Sequence, residues 1–214
     1  MPNNSGFQWI TMENVTATTA TGRIVGGTNF NDVSASITHS VGGMQSHDGM
    51  VGVGVVNVFP VEYNIPTAGT PQLQNDQAGI FRAVFSKPVV NPLVAFASVG
   101  GVVSVPVQVS RPFTPIWSDS TYGSTTYQNP ANATQYNQFT GTEGFNIIRI
   151  DGTMTEVTFN YTVGEYYSTI CFGFVDQNDP ETQSLYCDPL FAKFAHRDED
   201  GCSRFRRLRL LGYI

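Results

Sequence analysis

Side chains along much of this chain alternate in character with a period of two. Val51, Val53 and Val55 alternate with Gly52 and Gly54, and Phe81, Ala83 and Phe85 oppose Ile80, Arg82 and Val84. Val103, Val105, Val107 and Val109 oppose Val102, Ser104, Pro106 and Gln108. Val157, Phe159 and Tyr161 alternate with Thr158 and Asn160, and Ser168, Ile170, Phe172 and Phe174 alternate with Thr169, Cys171, Gly173 and Val175. A strand sends successive side chains to opposite faces, so each run predicts a strand that buries one face and wets the other. Pro106 lacks an amide donor, which predicts an edge or a bulge at that point.

Turn chemistry separates the runs. Asp151-Gly152, between 147–150 and 154–161, reads as a tight hairpin turn, and Lys87-Pro88 and Asn91-Pro92 read as breaks. Residues 118–142 read as a long loop or a pair of weak strands. Many short strands joined this way predict an all-β fold, a two-sheet antiparallel β-sandwich of jelly-roll type over residues 1–175. Residues 176–214 then form a polar linker and a basic, apolar C-terminal arm, with a short helix expected at 190–195.

Charge narrows the function classes. Of 214 residues only 13% are charged, against about 25% in a typical domain, which argues against long charged helices and coiled coils. Residues 1–192 hold five bases against fourteen acids, a net of −9, and residues 193–214 hold six bases against three acids, a net of +3. An acidic body repels a phosphate backbone, so no nucleic-acid partner is expected. No apolar run is long enough for a membrane span. The start, Met1-Pro2-Asn3-Asn4-Ser5-Gly6-Phe7, does not read as a secretory signal. Glycosylation sequons at Asn3, Asn14, Asn132 and Asn160 matter only in a eukaryotic secretory setting.

Two stretches carry a resemblance. One runs from Phe85-Ser86-Lys87-Pro88-Val89-Val90-Asn91-Pro92-Leu93 to Gly100. The other runs from Gly141-Thr142-Glu143-Gly144-Phe145 through Asp151-Gly152 to Phe174, with Glu165-Tyr166-Tyr167 as an acidic-aromatic turn. Over residues 79–175 the chain resembles a β-sandwich module of bacterial extracellular and surface proteins. That resemblance implies a sandwich fold and no one defined reaction. A basic arm stands where such proteins often carry an apolar anchor.

Candidate sites follow from residue chemistry. Glu143 and Glu165 are the residues for a glycoside-cleaving carboxylate pair; the simpler expectation is that they hydrogen-bond loop amides and fix corners. The histidines are His39, His47 and His196. Ser46-His47-Asp48 lacks the strained nucleophile turn of a hydrolase triad, and His39 is expected inside a strand. Cys171 reads as a buried small hydrophobe. Cys187 and Cys202 could form a disulfide, and with His196 they offer only three soft ligands, short of the four structural zinc takes, so no metal is expected. Asp32, Asp176, Asp179 and Glu181 are the oxygen donors a structural calcium would use; without a full loop pattern, solvated loop acids are the expectation. Trp117, Tyr122, Tyr127, Tyr136 and Phe139 would serve either as a glycan-stacking platform or at a subunit contact. Arg204, Phe205, Arg206, Arg207, Leu208 and Arg209 form a partner-binding arm complementary to the acidic body.

These readings lead to a non-enzymatic structural protein, a component of a viral or phage particle such as a capsid, decoration, tail or fibre protein. Its expected partners are further copies of itself or other particle proteins, and its expected location is the virion. The alternatives are an extracellular carbohydrate-binding adhesion module at a bacterial surface and a glycan-active enzyme using Glu143 and Glu165.

Overall fold

The computed structural model describes residues 6–24, 33–50, 58–66, 69–101, 103–129, 135–164 and 167–175. The strands are β1 (Phe7–Met12), β2 (Thr19–Ile24), β3 (Ser34–His39), β4 (Met44–Asp48), β5 (Pro71–Asn75), β6 (Gly79–Val90) and β7 (Leu93–Val99). They continue with β8 (Val105–Ser118), β9 (Ser124–Gln128), β10 (Tyr136–Thr142), β11 (Gly144–Ile150), β12 (Thr153–Tyr161) and β13 (Ser168–Val175). The weak-strand pair expected within 118–142 is β9 and β10, which pair with each other. The arm, the 190–195 helix and the Val51–Val55 alternation fall outside the described residues.

The fold is all-β, but the two-sheet sandwich is corrected to a closed antiparallel barrel of nine strands with extra strands attached. Its ring runs β1-β2-β3-β6-β12-β8-β11-β7-β13 and returns to β1. A ring with an odd number of straight strands cannot be antiparallel throughout. This one closes because two strands change partner along their length and bend across corners. In β1, Phe7–Trp9 pair with β13 and Ile10–Met12 pair with β2. In β8, Val107–Val109 pair with β12 and Phe113–Ser118 pair with β11. A period-two pattern is identical in a sandwich and a barrel, so alternation alone does not distinguish them.

The same bends revise three local expectations. Asp151-Gly152 is a turn, with Gly152 at φ +98°, but no hairpin. β11 and β12 pair with successive halves of β8 and have no register with each other. Asn91-Pro92, with Asn91 at φ +48°, is the matching corner between β6 and β7. The two corners clasp: the Asn91 N–H donates to the Gly152 carbonyl at 2.9 Å, and the Gly152 N–H donates to Asn91 Oδ1 at 2.7 Å. Lys87-Pro88 breaks nothing, because β6 continues through it and absorbs the proline in a bulge opposite Thr155. Nor is β8 an edge at Pro106; that residue opposes Thr140 of β10, and its carbonyl accepts from the Thr162 N–H at 3.2 Å.

Burial is also deeper than a one-sided pattern implies. The barrel interior is filled by side chains including Ile37, Phe81, Phe96, Phe139, Phe159 and Phe172. A second apolar cluster lies on the outer face of β13, β7 and β11, where Leu93, Ala95, Ala97, Ile147 and Cys171 are covered by Met50, Phe59, Tyr63 and Ile65. Every residue of β7 and of β13 is therefore buried. Trp9 anchors this roof: its Nε1–H donates to the Tyr63 carbonyl at 2.9 Å in a 3-10 turn spanning Val61–Tyr63.

Candidate functional site

The polar residues singled out in the sequence that fall among the described ones sit in structural roles. His39 is buried at 3% exposure, and its Nδ1 accepts from the Gly42 N–H at 3.1 Å. Burial pushes its pKa down, against a smaller upward pull from Asp76. His47 Nδ1 lies 3.0 Å from the Gly49 carbonyl, and its Nε2 lies 2.6 Å from the Tyr167 hydroxyl. A carbonyl can only accept, so Nδ1 carries the proton and Nε2 accepts from Tyr167. That pair ties β4 to the start of β13. Burial raises the Tyr167 pKa, while Thr169 pulls it down.

Ser46, His47 and Asp48 occupy successive positions of β4, so Ser46 and His47 point to opposite faces. Asp48 accepts from the Gly69 N–H and does not orient His47. Glu143, at φ +50°, accepts from the Ser98 hydroxyl at 2.6 Å, while its own N–H donates to the Gly100 carbonyl at 3.1 Å. It fixes the corner between β10 and β11. Glu165 lies outside the described residues, as do Asp32, Asp176, Asp179, Glu181, Cys187, His196, Cys202 and Arg204–Arg209. Cys171 is wholly buried, which raises its thiol pKa well above the ordinary value. Among the described residues no cluster of three or more His, Cys, Asp or Glu could hold a metal ion.

The aromatic set is divided. Phe139 is in the barrel core, and Tyr127 and Tyr136 pack with Phe113 at the core's rim. Burial pushes the Tyr127 phenol up to about 12, Ser118 and Tyr136 being smaller opposing and reinforcing influences. Trp117 packs on Phe59 of the outer cluster with ring centroids 5.3 Å apart. Tyr122 alone is largely exposed, at 51%. These rings do not form one exposed stacking surface.

What the fold does assemble is a row of amides that sequence spacing concealed. Gln128 of β9 opposes Gln138 of β10, Gln138 opposes Gln108 of β8, and Gln108 opposes Asn160 of β12. Their neighbours Val107, Val109, Phe139, Phe159 and Tyr161 point into the barrel, so the amides share the outer face. Gln138 Nε2 donates to Gln128 Oε1, and Asn160 Nδ2 donates to Gln108 Oε1 at 3.3 Å. Beside this row β8 bulges at its bend. Residues 109–112 lie opposite Asn137 alone, between the Gln138–Gln108 and Tyr136–Phe113 pairs. The result is an open groove of about 350 Å³ lined by Gln108, Val109, Ser110, Asn137, Gln138, Thr158 and Asn160. The signal for it in the sequence is an amide at an outward position of each strand, but their pairing depends on a topology that alternation does not reveal.

No helix among the described residues is long and apolar enough to cross a membrane. Comparison with protein-family models, with curated proteins and with solved structures finds no match to this chain.

Proposed function

We propose that the chain is a non-enzymatic assembly protein, a component of a viral or phage particle that associates through its barrel surface and its C-terminal arm. The supporting observation is a division of polarity. Within the barrel Arg23, Arg82 and Arg149 are ion-paired to Glu13, Glu156 and Asp151, so local carboxylates offset much of the body's own positive charge. The surplus of acid in residues 1–192 faces a surplus of base in 193–214. The arm is rich in both Arg and apolar residues, among them Phe205, Leu208, Leu210, Leu211 and Ile214. The roof of the barrel presents the complement outward, apolar Val61 at 86% exposure beside the exposed acid Glu62.

The packed interior favours this reading over that of a container. Of the seven phenylalanines among the largest fully buried side chains, six lie in the barrel core, so small-molecule binding inside the barrel would require displacing core. Function then falls to the outside. A basic-apolar segment docking on an acidic, partly apolar surface of another copy gains both area burial and electrostatic steering.

Deletion of residues 203–214 tests the proposal. The full chain should run as a multimer by size-exclusion chromatography with light scattering, and the truncated chain should run at a smaller mass with an unchanged circular-dichroism spectrum. Equal masses for the two proteins would remove the arm as connector.

A further inference from the structure

The amide row and the groove beside it point to a ligand, and that inference stands apart from the assembly reading. We propose that the groove at the bend of β8 binds neutral, hydroxyl-rich oligosaccharide. The lining explains the choice. Gln108, Ser110, Asn137, Gln138, Thr158 and Asn160 provide amide and hydroxyl groups and no charge. A primary amide offers two N–H donors and a carbonyl with two lone pairs, and a sugar hydroxyl both donates and accepts, so the two chemistries match in pairs.

The contacts within the row fix the amides without exhausting them. Gln138 uses one of its two N–H donors on Gln128, and Asn160 uses one of its two on Gln108. The Thr158 N–H donates to Ser110 Oγ at 2.9 Å, which holds that hydroxyl in place. Neighbouring strands lie about 4.8 Å apart. Successive amides along Gln128, Gln138, Gln108 and Asn160 therefore recur at roughly the repeat of a sugar unit in an extended glycan. A ligand lying across the strands would meet one amide at each step.

Other ligand classes fit less well. A nucleic acid needs cations for phosphate and rings for bases, and the lining has neither. Two cations flank the groove and serve the same carboxylate: Arg82, opposite Thr158 in register, is paired to Glu156, and Arg111, next to Ser110 in the chain, helps hold the Glu156 pKa down. A peptide docking by its side chains needs apolar pockets, and Val109 is the one apolar residue in the lining. The groove is open and has no stacking ring, so single-site affinity should be weak, with useful binding arising from many copies acting together.

The test uses the full chain coupled to beads, so that weak sites act jointly, against a printed panel of neutral gluco-, galacto-, manno- and xylo-oligosaccharides with sialylated and sulfated counterparts. Retention on at least one neutral glycan is expected. Gln108→Ala with Asn160→Ala should weaken that retention roughly tenfold or more, the loss expected for about two hydrogen bonds. Asn137→Trp, which fills the groove from an exposed position, should abolish it, while Tyr122→Ala should leave it unchanged. Melting temperatures within a few degrees of the parent establish that the variants fold. Retention on charged glycans alone, or on none, would overturn the proposal. So would wild-type retention by the groove variants, or a loss confined to Tyr122→Ala. Because bead coupling supplies the multivalency, failure here leaves the arm-deletion result standing on its own, and the reverse is equally true.

Discussion

At the scale of single residues, the barrel depends on side chains whose role is set by one neighbour. Gly173 opposes Trp9 in register, and a Cβ there would meet the indole at 2.5 Å. Only glycine lets the ring lie across β13 and reach the Tyr63 carbonyl, so a residue that looks like a weakness in a strand is what seats the roof. His39 is the titrating counterpart. Burial disfavours its charged form, so its folded pKa lies below the ordinary value near 6.5. Above that value both folded and unfolded chains hold it neutral. As pH falls below it, the unfolded chain takes up a proton that the folded chain refuses until the lowered folded pKa is passed. Stability therefore drops across that window and levels off beneath it. His39→Ala should cost about 1–3 kcal/mol at pH 7.5, because the Gly42 N–H loses its acceptor. The variant should also lose less stability than the parent between pH 7.5 and pH 5. Urea unfolding at the two pH values measures both effects, and parallel pH dependences would show that His39 is not the titrating group.

At the scale of elements, the strands themselves were legible and their partnerships were not. Val107, Val109, Phe159 and Phe172 alternate as strands must, and the structure places all of them in the barrel core. The seven apolar or small residues of 93–99 carry a further signal, a continuous run of the kind found in strands covered on both faces, and β7 is buried throughout. What no run discloses is that β8 leaves β12 for β11 after Val109, since a bend with a bulge keeps the period of two on each side. The amide row was hidden for the same reason: Gln108, Gln128, Gln138 and Asn160 become neighbours only once these pairings exist. The Asn91 and Gly152 corners show how two distant turns cooperate, each supplying a backbone group to the other across the place where the chain crosses between faces. Asn91→Ala removes the acceptor for the Gly152 N–H and puts a less tolerant residue at φ +48°. It should cost about 1–3 kcal/mol. Asn91→Gly keeps the backbone freedom and loses only the side-chain bond, so it should cost less. Equal losses in thermal unfolding would assign the corner's contribution to the side chain alone.

At the scale of the whole molecule, closure decides which surfaces remain for partners. In a sandwich β1 and β2 would be available as edges; among the described residues of the barrel the edges are those of the attached strands β4 and β9, and both are short and largely polar. β1 is the seam on which that difference rests. Here Phe7 and Trp9 are held in the outer cluster and Ile10 and Met12 in the inner one, while the backbone pairs first with β13 and then with β2. Where β1 leaves β13, β5 takes its place beside Ser168–Ile170, and buried Gln72 closes the fork by donating from Nε2 to the Ile10 carbonyl at 3.2 Å. Opening the seam would expose both clusters together, so it should require global unfolding. Native-state hydrogen exchange on the full chain should then find the pairing amides of Phe7–Met12 protected nearly as strongly as those of Leu93–Val99. Exchange in β1 faster by several orders of magnitude would mean an open seam, two free edges and an assembly route by strand addition instead of by the arm. Trp9→Ala sharpens the comparison: losing the indole should cost about 3–5 kcal/mol, and if the barrel is one cooperative unit, β1 and β7 should lose protection by the same amount.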